Sequence, residues 1–313
     1  MSKQKILVIG ANGQIGAVLC TALREHYGPD NVVATDIRES AAQEGIFEIL
    51  DVRDVKALTA TVGRHGITEI YHLAAILSAR GEAEPLRTWD INMDGLFNVL
   101  EVARERNVAK VFYPSSIAVF GSGVPRQMTP QDAVLKPSTV YGMSKVAGEL
   151  WSQYYYLKYG LDVRSLRYPG VIGHQSDPGG GTTDYAVEIY HYAVKAQPYT
   201  CFLAENTALP MIYMDDAIRA TLELMEAPAD KIRERTSYNL AGMSFSPREI
   251  AESIRREVPG FEVDYQPDFR QAIAESWPES IDDAPARNDW GWRPRFDLDT
   301  MTRDMLVNLR GRV

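Results

Sequence analysis

The segment KILVIGANGQIG, residues 5–16, decides the fold that we predict for this chain of 313 residues. The short apolar run KILVIG is typical of a buried strand, and Gly10, Gly13 and Gly16 follow it where a helix would begin. Glycines permit a tight turn and a close approach of the backbone to phosphates, which the helix N-terminus then attracts. The segment therefore predicts a strand–loop–helix unit that binds a dinucleotide. Because glycine is common, this pattern carries weight only together with its context.

The first half of the chain alternates between apolar runs and amphipathic segments. Strands are predicted at 5–10, 31–36, 47–50, 69–75, 110–116 and 162–170, and helices at 14–27, 53–64, 86–107 and 141–159. Continuous Val/Ile runs that alternate with helices indicate a parallel sheet covered on both faces. We therefore predict an α/β protein with a Rossmann-type doubly wound parallel sheet.

The pattern becomes less regular after residue 168. A strand that leads into a helix is predicted at 211–225 and another helix at 247–258, and tryptophans and prolines interrupt 277–296. We predict a Rossmann domain over 1–168, to which 209–243 returns. Residues 169–208 and 244–313 would form a smaller mixed α/β substrate lobe, next to the carboxyl edge of the sheet where ligands bind.

The composition is that of an ordinary globular protein, with 45% hydrophobic and 24% charged residues. The net charge of −9 argues against nucleic acid or an anionic membrane as the main partner, because both need a basic surface. Cys20 and Cys201 are too few for a disulfide framework and fit a reducing compartment. No stretch approaches the ~20 apolar residues of a membrane helix. We therefore expect a soluble cytoplasmic protein.

Asp36 ends the second predicted strand, 20 residues after Gly16. An acid at this position can accept both hydroxyls of an adenosine ribose and repels a 2′-phosphate, which favours NAD over NADP. Arg38 is a mild counterweight, because an arginine nearby can favour that phosphate. Taken alone, Asp36 could equally be a turn or helix-cap residue; together with the glycines it predicts a dinucleotide site.

Tyr141 and Lys145, in the segment YGMSK, lie four residues apart and share one face of a predicted helix. A lysine ammonium favours the phenolate, which lowers the pKa of the phenol from ~10 toward neutrality and makes the tyrosine a base. Tyr154 and Lys158 repeat the spacing, but 13 residues turn that pair about 220° away from the first. The two pairs therefore cannot both face the same site.

Ser116 favours the first pair. It lies in PSSIAVFG, residues 114–121, after the fifth major strand and 25 residues before Tyr141. A hydroxyl at this edge can orient a substrate alcohol and stabilise the oxygen as a carbonyl develops. Paired serines after a strand are also common turn residues, so the residues alone leave that alternative open.

These motifs occur in an order that resembles the extended short-chain dehydrogenase/reductases over nearly the whole chain. The motifs are GANGQIG, Asp36, Asp51-Val52, HLAA (72–75), Asn92, SSIAVFG, YGMSK and YMDDA (213–217). The resemblance implies an NAD cofactor bound by Gly10, Asn12, Gly13, Gln14, Ile15, Gly16, Asp36, Ile37, Arg38, Asp51, Val52, Leu73, Ala74, Ala75, Asn92, Tyr141, Lys145 and Tyr168.

The same resemblance implies a catalytic triad of Ser116, Tyr141 and Lys145, in which Lys145 also holds the nicotinamide ribose. It further implies a homodimer that pairs helices 86–107 and 141–159 of two subunits. Such a dimer would give the run Tyr154–Tyr156 a packing or subunit-contact role.

Many members of that family act on nucleotide sugars, and two features argue against such a substrate here. Dehydratases carry an acidic pair where this chain has Ile117-Ala118, which cannot move a proton. Epimerases carry a diphosphate-binding arginine shortly before the strand MIYM, and an ungapped alignment places Leu209 there. A nucleotide-sugar epimerase and a non-catalytic dinucleotide-binding regulator remain the alternatives, although such regulators often lose the tyrosine or lysine.

Within the family, RYPGVIG, PGGGTTDYAVEIY and LPMIYMDDA resemble the short-chain type of L-threonine 3-dehydrogenases. That implies NAD-dependent oxidation of the β-hydroxyl of L-threonine to 2-amino-3-ketobutyrate. No metal is expected, because the histidines and cysteines show no zinc-ligand spacing. The residues implied to bind the substrate are Ser78, Ser116, Tyr141, Gly180, Thr182, Thr183 and Trp277. The alternatives stay open that Ser78 is a loop serine and that Trp277 anchors the C-terminal lobe; Asp184 is expected to cap a helix beginning at Tyr185.

Overall fold

The computed structural model describes residues 4–39, 45–175, 177–179 and 181–311. Its strands are β1 (Ile6–Ile9), β2 (Val32–Asp36), β3 (Ile46–Ile49), β4 (Glu69–His72), β5 (Lys110–Phe112), β6 (Ser115–Ser116), β7 (Asp162–Arg164), β8 (Leu166–Tyr168), β9 (Gly170–Ile172), β10 (Tyr199–Cys201), β11 (Leu209–Tyr213), β12 (Tyr238–Asn239), β13 (Met243–Phe245) and β14 (Val263–Tyr265). Its helices are α1 (Gln14–Tyr27), α2 (Val55–His65), α3 (Ser78–Gly81), α4 (Pro85–Glu105), α5 (Val140–Tyr159), α6 (Tyr185–Val194), α7 (Met214–Glu226), α8 (Pro247–Glu257), α9 (Arg270–Glu275), α10 (Ala284–Asp289) and α11 (Leu298–Arg310).

In the described part of the chain, six parallel strands form the central sheet, in the order β3-β2-β1-β4-β5-β7. β1 pairs with β2 on one side and with β4 on the other, so the direction of winding reverses at β1. This is the strand order of the Rossmann-type doubly wound fold, and the predicted fold class is confirmed. Four predicted helices, α1, α2, α4 and α5, begin and end within two residues of their predicted bounds.

Successive residues of β1 alternate between two hydrophobic cores, one on each face of the sheet. Ile6 and Val8 pack into a core with α1 and α7, whereas Leu7 and Ile9 pack into a core with α2 and α4. Because both faces are covered, every residue of the strand is apolar, which explains the continuous run in the sequence.

A third hydrophobic core, which we call the lobe core, lies in the C-terminal half. It is formed by α6, α8 and α11, by β9, β11 and β13, and by the 3-10 turn Ile117–Val119. β11 pairs parallel with β9 and antiparallel with β13, which makes this small sheet mixed. The smaller mixed α/β region is therefore present beside the central sheet.

The segment 209–243, predicted to return to the Rossmann domain, contacts both parts. α7 packs against α1, and β12 pairs with β8. β11, however, pairs with β9 and β13, which the prediction placed in the substrate lobe. The predicted domain boundaries therefore stay a prediction.

The carboxyl ends of the parallel strands lie along one edge of the sheet, and β6 leaves this edge to pair with β8. Open α/β sheets bind their ligands in this position. Among the residues described, none of the helices combines the length and the apolar character that crossing a bilayer requires.

Candidate active site

The loop between β1 and α1 brings backbone atoms close together. Gly10 has a φ of +87°, and a Cβ there would lie 2.7 Å from the backbone nitrogen of Ala74, so only glycine fits. A Cβ on Gly13 would meet one described atom within 4 Å, the oxygen of Gly10 at 3.3 Å. Gly13 is the N-cap of α1 and offers no side-chain cap. The first turn of α1 thus retains N–H donors and space that fit the pyrophosphate of NAD.

Asp36 is held at the end of β2 by backbone donors. Its Oδ2 accepts a hydrogen bond from the backbone N–H of Asn12 at 3.0 Å, and its Oδ1 accepts from the N–H of Arg38 at 3.3 Å. Asn12 Nδ2 donates to the carbonyl of Arg38 at 2.8 Å. The turn interpretation and the ribose interpretation are therefore compatible, since the turn fixes the carboxylate beside the glycine loop, where it fits NAD.

Asn92, predicted to contact the cofactor, supports the loop that follows β4. Its Oδ1 accepts from the N–H of Ile76 at 2.8 Å, and its Nδ2 donates to the carbonyl of Ile76 at 3.1 Å and to Ser144 Oγ at 3.3 Å. The loop with Leu73–Ala75 is thereby fixed against the glycine loop. The amide group is used within the protein, and a direct contact of Asn92 with NAD stays a prediction.

Other predicted cofactor residues differ in exposure. Ile37 is exposed at the end of β2, and Val52 is buried. Asp51 pairs with Arg53, whose hydrogen bond lowers the pKa of that carboxyl. Tyr168 lies in the core between the sheet and α7, where its hydroxyl hydrogen-bonds to Thr221. The fold thus gives the Tyr168 side chain a packing role, and a contact of this residue with NAD stays a prediction.

Ser116 both terminates β6 and faces Tyr141. Its Oγ accepts a hydrogen bond from the N–H of Ala118 at 3.2 Å and caps the turn Ile117–Val119. The same side chain lies beside the phenol of Tyr141, and its hydroxyl acts to lower the pKa of Tyr141. The turn role and the proposed catalytic role of Ser116 therefore coexist.

Close packing of α5 brings Tyr141 to Ser116. A Cβ on Gly142 would lie 2.2 Å from the carbonyl oxygen of Ala118, so the first turn of α5 rests directly on the backbone after β6. Thr139 caps the helix by accepting from the N–H of Gly142 at 3.1 Å. The segment GMSK therefore supplies the glycine that lets α5 pack closely after β6, as well as the lysine.

Lys145 is buried, with 3% of its surface exposed. Its Nζ donates to the carbonyl of Pro114 at 2.7 Å and lies 4.5 Å and 5.4 Å from the ring centroids of Tyr113 and Tyr141. Burial lowers the pKa of Lys145 to about 7, against the opposing effect of the negative charge on Glu149. Near neutral pH, the ammonium and the free amine are therefore both populated.

Burial raises the pKa of Tyr141 to about 12, and the Ser116 hydroxyl acts in the opposite direction. The expectation that Lys145 brings this pKa toward neutrality is therefore not met. The reason is that burial disfavours both the phenolate and the ammonium, and that Lys145 bonds to a backbone carbonyl. Because the pKa of Lys145 is the lower of the two, the pair loses its first proton from Lys145, near pH 7.

A buried ion pair beneath Lys145 was missed by the sequence analysis. Glu149 and Arg167 are 1% and 3% exposed. Nε and Nη2 of Arg167 donate to the two oxygens of Glu149 at 2.9 and 2.8 Å, and Ser115 Oγ donates to Glu149 at 2.6 Å. The available signal was the glutamate four residues after Lys145, which shares its helix face.

The two threonines of the glycine-rich loop are placed differently. Thr182 is 1% exposed, and its Oγ1 has no hydrogen-bond partner within the described ranges. A buried hydroxyl without a partner is costly, so this atom fits a polar group of a ligand. The methyl of Thr183 packs beside Gly170, where a Cβ would lie 2.8 Å away. Thr182 therefore has the stronger case for contacting a substrate.

The remaining predicted substrate residues are buried or lie outside the described residues. Ser78 begins α3 and is buried, and Trp277 is buried in the lobe core, which agrees with its anchoring alternative. Gly180 lies outside the described residues. The prediction that Asp184 caps α6 is wrong: its backbone is already helical, and its Oδ2 accepts from the N–H of Gly181 at 2.8 Å. The contacts of Ser78 and Trp277 with a substrate stay predictions.

The positions that argued against a nucleotide sugar are part of the lobe core. Ile117, Ala118 and Leu209 are all buried there. Within the part of the chain that the structure describes, no group of three or more His, Cys, Asp or Glu side chains could hold a metal ion.

The sheet order, the glycine loop and Asp36 together define a Rossmann-type dinucleotide-binding protein. Residues 6–241 match the NAD dependent epimerase/dehydratase family, and the chain belongs to that family. The family resemblance that the motifs indicated is thereby confirmed.

The chain is similar to one bacterial relative and to two solved structures of L-threonine dehydrogenases. An uncharacterized epimerase/dehydratase of Staphylococcus haemolyticus is 50% identical over 308 residues, which cover 97% of this chain and 96% of the relative. The structure of a GalE-like L-threonine dehydrogenase from Cupriavidus necator, in its holo form, is 57% identical with a TM-score of 0.96, covering 97% of this chain and 99% of that chain. A monomeric L-threonine 3-dehydrogenase from a metagenome, in its apo form, is 51% identical with a TM-score of 0.96, covering 98% and 99%.

Proposed function

We propose that this protein oxidises the β-hydroxyl of L-threonine to 2-amino-3-ketobutyrate with NAD as the oxidant. The observation that carries the proposal is the placement of Ser116 and the buried Lys145 beside Tyr141, where Lys145 Nζ lies 5.4 Å from the centroid of the Tyr141 ring. The choice of L-threonine is supported by two structures of L-threonine dehydrogenases that are 57% and 51% identical to this chain.

The Tyr141–Lys145 pair acts as the base in this proposal. When the pair holds one proton, that proton lies on Tyr141 and Lys145 is the free amine. Tyr141 then passes its own proton toward Lys145 as it takes the hydroxyl proton of the substrate, which leaves a neutral phenol and a lysine ammonium. Ser116 donates a hydrogen bond to the same substrate oxygen while its double bond to carbon forms. When bound, NAD would supply the acceptor for the hydride of the β-carbon, and Lys145 would hold its nicotinamide ribose.

A small amino acid suits the residues around this site. The buried hydroxyl of Thr182 offers a hydrogen bond to the polar end of the substrate, which relieves its lack of a partner within the described residues. Ile117, Ala118 and Leu209 offer neither a proton donor nor a cation for the diphosphate of a nucleotide sugar. These features favour L-threonine over the nucleotide-sugar alternative.

The decisive experiment follows NADH absorbance with NAD and L-threonine, against D-threonine, L-serine and UDP-sugars. We expect NADH with L-threonine and no turnover of UDP-sugars. Protein that binds NAD but forms no NADH from L-threonine would contradict the proposal, and UDP-sugar turnover would establish the alternative.

The threonine loop is tested by Thr182→Val, which removes the hydroxyl at nearly constant volume. We expect a higher KM for L-threonine and unchanged NAD affinity, because the loop serves the substrate. Thr200→Val, on an exposed position of β10, is the matched control and should change neither. A collapse of NAD binding in Thr182→Val would assign the loop to the cofactor instead.

We also propose that two chains associate through α4 and α5. Both helices leave large apolar side chains exposed, namely Leu86, Trp89, Met143, Leu150, Trp151, Tyr154 and Leu157. Exposed apolar side chains on two neighbouring helices are typical of a subunit contact. Light scattering should give the mass of a dimer; a monomer over the whole range of concentrations would overturn the proposal and match the metagenomic relative.

A further inference from the structure

We infer that the buried Glu149–Arg167 ion pair is a positioning element that sets the protonation of Lys145. Through Lys145, the ion pair sets the pH range in which Tyr141 accepts a proton. The inference rests on the proposed function, because it concerns the same tyrosine–lysine pair. Glu149 lies one helical turn after Lys145, so its carboxylate and the ammonium lie on one face of α5.

The ion pair joins the elements that carry the reacting groups. Glu149 lies on α5 with Tyr141, and it accepts a hydrogen bond from Ser115, the neighbour of Ser116 in β6. Arg167 pairs with Ser115 in the backbone ladder between β8 and β6. A shift of this ion pair would therefore move both sides of the site together.

Arg167 is held by further partners. Its Nη1 donates to the carbonyl of Gln131 at 2.9 Å and to Asn239 Oδ1 at 3.1 Å. These bonds hold the guanidinium of Arg167 in the orientation in which its Nε and Nη2 donate to Glu149. The charge next to Lys145 is therefore a fixed pair of opposite charges rather than a free carboxylate.

The groups around Lys145 identify which charge matters. The titratable and charged side chains that act on Lys145 are His72 on β4, Tyr113 after β5, and Tyr141 and Glu149 on its own helix. Arg167 on β8 pairs with Glu149, and Glu82 next to α3 contacts the start of α5. His72 is buried and neutral, because burial lowers its pKa to about 3. Glu82 is exposed and accepts from the N–H of Val140 at 2.8 Å. Glu149 is the carboxylate whose charge favours the lysine ammonium.

The two partners of the ion pair have opposite expected effects. Glu149→Gln removes a negative charge and leaves Arg167 unbalanced, so the pair loses its first proton at a lower pH. The low-pH limb of kcat/KM then moves down by about one pH unit, and maximal turnover falls because the ammonium is less favoured. Arg167→Gln leaves the carboxylate unbalanced, so the limb moves up by a similar amount.

The experiment measures kcat/KM for L-threonine against pH in the wild-type protein, both single variants and the double variant. Opposite shifts in the singles and a near-normal limb in the double are expected. Glu149→Asp, which keeps the charge, should shift the limb less than Glu149→Gln. The matched control is Glu84→Gln, which breaks an exposed ion pair with Arg87 and should leave the profile unchanged. Loss of activity in both singles without a shift, or shifts in the same direction, would show a purely structural ion pair.

Folding and function are separated by two further measurements. Thermal unfolding and NAD binding identify any variant that does not fold. Because the low-pH limb is expected to shift in a stated direction in each single variant, one folded variant is enough to test the inference. Phenolate absorbance against pH, with Tyr141→Phe as the reference, follows the effect of the same charges on Tyr141 without any substrate. Opposite shifts there without threonine turnover would uphold the inference and sink the proposed function. Threonine turnover without those shifts would support the proposed function and contradict the inference.

Discussion

Helix α5 carries two tyrosine–lysine pairs with the same spacing, and their surroundings give them different chemistry. In the second pair, Lys158 Nζ donates to the hydroxyl of Tyr154 at 2.6 Å, at a surface where Tyr154 is 40% exposed. Hydrogen bonds to Tyr154 and Tyr159 raise the pKa of Lys158, whereas burial lowers the pKa of Lys145 to about 7. The spacing determines which groups meet, and burial determines whether they exchange a proton near neutral pH.

The largest expected effect separates the two tyrosines. Tyr141→Phe should lower kcat by on the order of 10²–10⁴, the usual range for the loss of a general base. Tyr154→Phe should leave it nearly unchanged, because its hydroxyl meets solvent and Lys158. Steady-state rates of NADH formation measure kcat in both variants. Equal losses in both variants would mean that the comparison between the pairs is wrong.

The next prediction tests the close contact that only the first pair has. Gly142→Ala would place a Cβ 2.2 Å from the carbonyl oxygen of Ala118, so the first turn of α5 must move away from Ser116. A displacement of about 1 Å can lower turnover about 10²-fold. We expect a loss of this size in kcat, measured from NADH formation.

The matched control for that variant is Gly63→Ala in α2. A Cβ there meets no described atom within 4 Å, so the change should leave kcat intact and stabilise the helix by up to about 1 kcal/mol. Wild-type turnover in Gly142→Ala would show that the helix contact does not position Tyr141.

The pH dependence distinguishes the pairs through their lysines. Since burial lowers the pKa of Lys145 to about 7, the first pair is doubly protonated below that pH and cannot accept the substrate proton. We expect kcat/KM to fall about tenfold per pH unit below about pH 7 and to level off above it. Lys158→Gln should not move this limb. A limb that shifts in Lys158→Gln would assign the titration to the second pair.

The smallest effect on turnover is expected at the proposed association surface near the second pair. Trp151 packs edge-to-face on Phe97 and Tyr154, with ring centroids 5.0 and 5.4 Å apart, and remains partly exposed. Trp151→Ser should weaken association in sedimentation or light scattering while activity per site stays near wild type. Phe269→Ser, at an exposed aromatic residue of the small lobe, is the control and should leave association unchanged.

Much of the fold could be read from periodicity. Continuous Val/Ile runs predicted the parallel strands because both faces of the sheet are buried. The bounds of α1 agree with the prediction to the residue, since the glycine loop marks its start and Gly28 follows its end. β6, β8 and β9 were not resolved from the longer predicted strands, because their separation depends on pairing with distant segments such as β12 and β11.

The candidate site was only partly predictable. Tyr141, Lys145 and Ser116 were predicted from spacing and position, but the pKa values of the first two depend on burial, which a motif does not encode. Tyr168 was assigned to the cofactor, yet its hydroxyl bonds to Thr221 in the core. Arg167 escaped notice because it meets Glu149 only after β8 pairs with β6.

By itself, the sequence determined the elements whose causes are local: the glycine turn into α1, the buried strands, the acid that ends β2, and two tyrosine–lysine pairs on one helix. Only the tertiary structure decided which pair is buried, what the lysine bonds to and which charge lies beneath it. The physical reason is that desolvation and ion pairing depend on all neighbours of a group. Those neighbours, here Pro114 and Arg167, come from strands far away along the chain.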